Sequence, residues 1–371
     1  MPLTFVHAAD FHLGADLRRY GAKADDLRAA QYAALAKVLA AAADRRAAFV
    51  LICGDLFDRR RPSETVMRQT RAVFAGFPDI PVFIIPGTHD FLSEGSILSG
   101  RNFDPANSKI VVLNDTIVSP FGVEEADCRL YFRPNRSNRS SRSPIDGLVR
   151  SGGEKYHIGL GHGSLALGGL NLDGDFPIDP ADIEAGSLDY LALGHWHRPR
   201  REQVGRTTVV YAGIPQPLGF GDPEEGTAVR VTIRDDGAVE MEWLATGLIS
   251  FRHIKDKVFH PQQVKRILER LAGDHIAVKI DFLFSDTLKE RAEVARIVSD
   301  VISRFFLVIT DEHTERKVSV LESGVVHEDG SRLSVEFLKE LSRLKQDDIP
   351  ERSRLYDQAA ELGVRLIKGE I

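Results

Sequence analysis

Cysteine is scarce in this chain of 371 residues: only Cys53 and Cys128 occur. Two cysteines this far apart build neither a disulfide framework nor a zinc knuckle. Cys53 ends an apolar run and reads as a small core residue. A basic excess is missing too. Lys and Arg total 48 against 54 Asp and Glu, for a net charge of −6, which excludes a bulk electrostatic binder of nucleic acid but leaves room for a local groove. No apolar stretch approaches the roughly 20 residues of a membrane span, and no basic segment followed by an apolar one opens the chain. A cytoplasmic protein without a membrane partner is therefore expected. No internal repeat is visible. What is present, 43% hydrophobic and 27% charged residues, is ordinary globular composition, and the length suggests two domains.

The first half alternates between apolar runs and helical patterns. LTFVHAA (3–9) reads as a strand, and the Ala-rich stretch 25–46 as a long helix with Leu27, Tyr32, Leu35, Val38 and Leu39 near helical spacing. AAFVLIC (47–53) and IPVFIIP (80–86) are continuous apolar runs, as in strands buried on both faces. Between them Pro62-Ser63 opens a second helix that ends near Gly76. This order predicts a largely parallel sheet with right-handed crossovers. From 109 to 244 the chain turns to shorter strands, KIVVL, RLYF, YHIGLGH, LDYLALGH, TTVVYAG, TAVRVTI and VEMEWL, expected to form a second sheet packed on the first. A mixed tail follows from about 249, read as a separate small α+β domain.

The polar residues that follow the apolar runs carry the chemistry. FIIPGTHDF (83–91) alone could be a polar turn that happens to hold a histidine. Yet the first strand ends into Asp10-Phe11-His12, the second into Gly54-Asp55-Leu56-Phe57-Asp58, and the third into Gly87-Thr88-His89-Asp90. YHIGLG ends into His162, and LDYLALG into His195-Trp196-His197. Five strands thus deliver Asp or His at their C-terminal ends, the edge where open α/β sheets bind ligands. Mixed imidazole and carboxylate donors suit Mn, Fe, Zn or Ni better than Mg or Ca. No serine or cysteine has a consistent place as a nucleophile among them. Two divalent metals sharing Asp55 is the natural arrangement for so many ligands, and paired metals serve phosphoryl hydrolysis.

The order DFH, GDLFD, GTHD, GHG, GHWH resembles the calcineurin-like metallophosphoesterases. FVHAADFHLG, FVLICGDLFDRRRPS and YAGIPQPLGFGDPEEG are similar to the SbcD-like branch of DNA repair nucleases, over roughly residues 3 to 245. The resemblance implies a two-sheet α/β sandwich flanked by helices (1–248), followed by a smaller α+β domain (249–371) that caps the site or binds a partner. It implies one metal held by Asp10, His12, Asp55 and His197, and a second by Asp55, Thr88, His162 and His195, with manganese as the expected ion. His89 would stand beside the scissile phosphate. Asp58 and Asp90 would orient imidazoles, the competing reading being that they cap a helix or turn. His7 matches no ligand position and reads as structural. The family has Asn where this chain has Thr88, a shorter, stiffer neutral ligand with which the second metal would be weakly held, reached through a water, or absent.

Arginines suggest the substrate. Arg59, Arg60 and Arg61 follow GDLFD directly, and the stretch 129–150 holds six more, with Arg133, Arg136 and Arg139 at its centre and Asp146 as its only acid. These could track a DNA backbone or form a solvated loop. The resemblance further implies a homodimer and an SbcC-type coiled-coil ATPase partner. Apolar stripes such as Leu333, Phe337, Leu341 and Leu344 are candidates for docking that partner or for core. The leading expectation is a metal-dependent DNA exonuclease or endonuclease. The alternatives are a phosphodiesterase for small molecules or cyclic nucleotides, and a weakly active protein that binds DNA ends.

Overall fold

The protein is described from a computed structural model, covering residues 1–44, 46–100, 109–114, 119–166, 174–258, 260–284 and 288–314, with isolated positions between 340 and 362. In chain order the strands are β1 Leu3–Ala8, β2 Val50–Cys53, β3 Val82–Ile85, β4 Ile110–Val112, β5 Phe121–Val123, β6 Cys128–Phe132 and β7 Tyr156–His162. They continue with β8 Ser164–Leu165, β9 Pro177–Ile178, β10 Tyr190–Gly194, β11 Arg200–Val204, β12 Thr207–Tyr211, β13 Thr227–Ile233 and β14 Val239–Ala245. The helices between them are α1 Ala24–Asp44, α2 Glu64–Ala75 and α3 Pro180–Gly186. Two six-stranded sheets result, ordered β14-β13-β1-β2-β3-β4 and β11-β12-β10-β7-β6-β5.

Strand periodicity explains the layering. Along β1, β2 and β3, Val6, Ala8, Val50, Ile52, Val82 and Ile84 face one way and pack with Leu35, Leu39, Met67 and Phe74 of α1 and α2. Their neighbours Leu3, Phe5, Leu51, Cys53, Phe83 and Ile85 face the other way and meet Leu130, Phe132, Ile158, Leu160, Tyr190 and Ala192 of the second sheet. The third layer, Leu191, Leu193, Val209 and Tyr211 with Ile183 of α3, covers the outer face of that sheet. Ser63 caps α2 by accepting the Val66 N–H.

One expectation is corrected. β4, β13 and β14 do not join the second sheet. β4 pairs parallel with β3, and β13 pairs antiparallel with β1, from Leu3 opposite Ile233 to His7 opposite Val229. The Asp235-Asp236-Gly237 turn then folds β14 back onto β13. The reason is edge protection: without β13, the buried β1 would end the sheet with unpaired N–H and C=O groups.

The remaining elements are β15 Ser250–Val258, α4 Pro261–Leu271, β16 Gly273–Phe284, α5 Leu288–Val301 and β17 Phe305–Thr314, the strands forming a three-stranded sheet in the order β15-β16-β17. The chain divides into two compact units. The larger comprises Met1–Lys255, Ile267–Ile280 and Val298–Ile309, and the smaller Asp256–Arg266, Asp281–Ile297 and Thr310–Ile371. The helices expected over 333–346 and 352–366 fall mostly outside the described residues, with Leu333 and Phe337 among those outside. No helix among the described residues is long and apolar enough to cross a membrane.

Candidate metal centre

The same periodicity that layers the core aims the site. Tyr156, Ile158 and Leu160 of β7 face the first sheet, so His162, two residues on, faces it as well. There its Nδ1 meets the Cys53 carbonyl at 2.9 Å and its Nε2 lies 3.3 Å from Asp55 Oδ2. Close approach of the sheets needs glycine at two points. A Cβ on Gly54 would lie 2.0 Å from His162 Nδ1, and one on Gly194 would lie 1.9 Å from the Cys53 carbonyl oxygen.

The strand ends bend sharply to present their side chains. Asp10, His12, Asp55 and His195 all have positive φ, at 58°, 48°, 50° and 101°. For non-glycine residues this costs on the order of 1–3 kcal/mol each, strain that clusters at functional sites. The turns are braced from behind. Gln31 of α1, buried, donates through Nε2 to the carbonyls of Phe11 and His12 at 3.1 and 2.7 Å. Both oxygens of Asp10 accept the His195 N–H, at 3.2 and 3.0 Å.

Three groups of ligand atoms come within 4.8 Å of one another: Asp10 with His12 and His197, Asp10 with Asp55 and His162, and His12 with Asp55 and His89. Asp10 and Asp55 therefore lie between imidazoles drawn from both sheets. Thr88, buried, donates its hydroxyl to Asp55 Oδ2 at 3.1 Å and lies 3.4 Å from His162 Nε2. Buried carboxylates interleaved with imidazoles fit a borderline divalent cation.

The electrostatics are those of a site built around positive charge. Burial works against a charged His12, but Asp58, Asp55 and Asp10 outweigh it and raise its pKa to about 9. His162 behaves alike: burial opposes its charge, Asp55 and Asp10 prevail, and the pKa rises to about 10. Burial would push the Asp55 carboxyl up, yet His162, His12 and His89 hold it well below the usual carboxylate range. Asp90 goes the other way, raised to about 7 by burial and by repulsion from Asp55.

His89 donates its backbone N–H to Asp55 Oδ1 at 2.8 Å, and its Nδ1 lies 3.3 Å from the Asp58 carbonyl oxygen. Its side chain is 48% exposed. Asp58 Oδ1 stands 3.5 Å from His12 Nδ1 and 3.6 Å from His89 Nδ1.

Several expected roles change. Asp90 does not orient an imidazole: its two oxygens accept the backbone N–H groups of Gly87 and Phe57, at 2.7 and 3.1 Å, so it clamps the two loops together. The turn-capping reading is the one its contacts match. His195 enters none of the three ligand groups among the described residues; its Nε2 lies 2.9 Å from Asp175 Oδ1, so Nδ1 is the nitrogen left to face an ion. Burial, then repulsion from His162, lowers its pKa. Arg60 stacks on Phe91 and donates to Ser93, while Arg61 donates to the carbonyls of Gly95 and Glu94. These two staple the loop after His89 while remaining exposed. Arg133 donates to the Asp146 carbonyl, and Arg129 and Arg150 pair with Glu154 and Asp189. Arg59 stays exposed, 4.0 Å from Asp58. Arg136 lines a cavity with Arg133, and Arg139 lies beside Gly174. His7 is fully buried between the sheets, its Nδ1 3.0 Å from Tyr190 Oη.

Two carboxylates escaped the sequence reading. Asp222 Oδ1 lies 2.6 Å from His197 Nδ1, and Asp175 holds His195. Such partners fix the tautomer and orientation of metal-binding imidazoles. Asp222 lies inside YAGIPQPLGFGDPEEG, a stretch similar to the nuclease branch; Asp175 carries no local signal.

Comparison with known proteins agrees with this geometry. The chain is 37% identical to the DNA double-strand break repair protein Mre11 of Archaeoglobus fulgidus, over 100% of this chain and 82% of that one. It is 25% identical to the SbcD component of the SbcCD nuclease of Bacillus subtilis, over 63% of this chain and 66% of that one. Identity to the uncharacterized metallophosphoesterase YhaO of Bacillus subtilis is 26%, over 58% of this chain, which spans about half (53%) of YhaO. The calcineurin-like phosphoesterase family matches residues 3–199, a span that begins at β1, takes in all five motifs and ends just after His197. A metal-dependent phosphoesterase fold, its ligand-bearing strand ends and its family match coincide, and the chain belongs to the calcineurin-like phosphoesterases, on the branch of the Mre11 and SbcD nucleases.

Proposed function

We propose that the protein hydrolyses phosphodiester bonds of DNA with a two-metal centre. The observation that carries this is the interleaving of Asp10 and Asp55 with His12, His162 and His197 beneath a half-exposed His89. One ion would be held by Asp10, His12, Asp55 and His197, and the other by Asp55, His162, His195 through Nδ1, and Thr88. Bound divalent ions neutralise phosphoryl charge and make a hydroxide available near neutral pH. Manganese is the proposed ion. The chain's own residues supply the rest. Asp55 sits between the two positions, with its charge fixed by its surroundings. His89, held at Nδ1 by the Asp58 carbonyl, offers Nε2 to the leaving oxygen as proton donor or to the developing charge. Asp222 and Asp175 keep His197 and His195 aimed. Thr88 is a short neutral ligand, so the second ion would be the labile one.

DNA as substrate follows the Mre11 and SbcD relatives, with Arg59 as the nearest exposed phosphate contact. Residues from 249 onward are proposed to form the cap or partner-binding domain, and an SbcC-type ATPase and a second copy of this chain are proposed partners. A small-diester specificity is the second reading, favoured by the engagement of Arg60 and Arg61 with the loop after His89.

The test is incubation with manganese and end-labelled single- and double-stranded DNA, with His89→Asn alongside. Cleavage that needs both manganese and His89 is expected. Hydrolysis of small diesters that DNA does not inhibit would select the second reading.

A further inference from the structure

The segment 133–149, the end of strand β6 and Ser119-Pro120 line a cavity of about 640 Å³, within the usual size of small-ligand sites. Its lining holds three guanidinium groups, of Arg133, Arg136 and Arg142, together with four serines and, among the described residues, no carboxylate. Two of the arginines are held in place from outside the lining. Arg142 reaches Asp146 Oδ2 through Nε and Nη2 at 3.2 and 3.1 Å, and Arg133 Nη1 stands 3.7 Å from the same oxygen.

Two lining residues connect the cavity to the candidate ligands. Asn135 lines it while donating through Nδ2 to the His162 carbonyl at 3.0 Å, and its own carbonyl accepts the Leu92 N–H at 2.9 Å. Phe176, also in the lining, follows Asp175, the partner of His195. Asn135 is 2% exposed, and its Oδ1 is buried with no hydrogen-bond partner. Buried acceptors are almost always met, so this oxygen, on a residue of the cavity wall, is left calling for a donor.

A cationic rim, an apolar wall of Pro134, Pro144 and Val149, and an unmet acceptor are complementary to one nucleotide. Guanidinium groups take the phosphate, the apolar wall takes the base, as in single-strand binders, and Asn135 Oδ1 takes a base N–H. We propose that this pocket seats an unpaired nucleotide of single-stranded DNA, next to the one whose phosphate enters the metal centre. The proposal rests on the DNA reading given above.

The experiment follows binding of a short fluorescein-labelled oligothymidylate to the full chain by anisotropy across a salt series. A duplex of the same length and hydrolysis of bis(p-nitrophenyl) phosphate are measured in parallel. Arg142→Ala removes one rim cation, and Val149→Trp, at a lining position 54% exposed, fills the mouth. Each variant is expected to weaken single-strand binding about tenfold while duplex binding changes less than about twofold. Arg142→Ala should also flatten the salt slope by about 0.7, the contribution of one phosphate contact to a single strand.

Equal oligothymidylate affinity and slope in wild type and both variants would overturn the pocket and leave the DNA reading standing. A wild-type chain that binds neither DNA would overturn both. A parallel loss of small-diester hydrolysis would assign the effect to the metal centre and overturn the pocket. Displacement of the oligonucleotide by an equimolar amount of thymidine monophosphate would make it a free-nucleotide site, again against the proposal.

Discussion

His197 is held at both ends of its ring: Nδ1 lies 2.6 Å from Asp222 Oδ1, and Nε2 faces His12 Nε2 across 3.2 Å. Two imidazole nitrogens aimed at one point need a proton or a cation between them. The Asp222 carboxyl, opposed by burial but held by the bond to His197, stays below its ordinary pKa. It is therefore a charged acceptor that fixes the proton of His197 on Nδ1 and frees Nε2. Asp222→Ala is expected to lower manganese affinity by about 10- to 100-fold, measured by calorimetric titration of the metal-free chain. Unchanged affinity would remove Asp222 from this role.

Metal uptake should expel protons. His12 and His162, with pKa values raised to about 9 and about 10, are both protonated at pH 7 in the metal-free chain, whereas ligation requires neutral imidazole. About two protons should be released per chain at pH 7. The number should shrink as pH passes first the lower and then the higher value. Titrations in buffers of different ionisation enthalpy give the count directly, and a count of zero would contradict these charge states.

Thr88 offers a graded test of the second position. Its hydroxyl already reaches Asp55 and His162, so Thr88→Val, which keeps the shape and removes the oxygen, should weaken the looser ion. Thr88→Asn, with an amide oxygen that reaches further, should tighten it. Metal stoichiometry by mass spectrometry after dialysis reads both. Two tightly held ions per wild-type chain would sink the idea of a labile second ion.

His7 should make the protein acid-sensitive. Complete burial lowers its pKa from 6.5 to about 3, outweighing a backbone hydrogen bond that raises it. As pH falls below 6.5 the unfolded chain takes up a proton that the native chain refuses, so stability is lost between pH 6.5 and 3. A shift of this size corresponds to about 5 kcal/mol over the whole window. His7→Gln should flatten this part of the dependence, read as urea midpoints of the metal-free chain at pH 7 and pH 4.5. An unchanged difference between those midpoints would assign the acid sensitivity to other groups.

The strand-end motifs were legible because each sits at the end of its own apolar run, so local pattern alone places Asp10, Asp55, Thr88, His162 and His195 at one edge. The return of β13 to β1 was not. Its alternating pattern suits either sheet, and the choice is made by the open edge of β1, far away in sequence. Side-chain duties show the same divide. Asp58 and Asp90 look alike in the motifs, and only the folded loops show one beside two histidines and the other bonded to Gly87 and Phe57. The arginines show it too: Arg133 and Arg150 meet Asp146 and Asp189 only through the fold, and a charge run says nothing of its partners.

His162 reaches Asp55 across the packing of the two sheets, and that placement makes the centre an interlock. Asp10, His12 and Asp55 come from one sheet, His162 and His197 from the other. Neither half alone presents the full set of donors proposed for either ion. On the proposed ligand sets, a newly made or partly opened chain would be disarmed until its halves dock, and the capacity for bond cleavage would be switched on by the same step that completes the core.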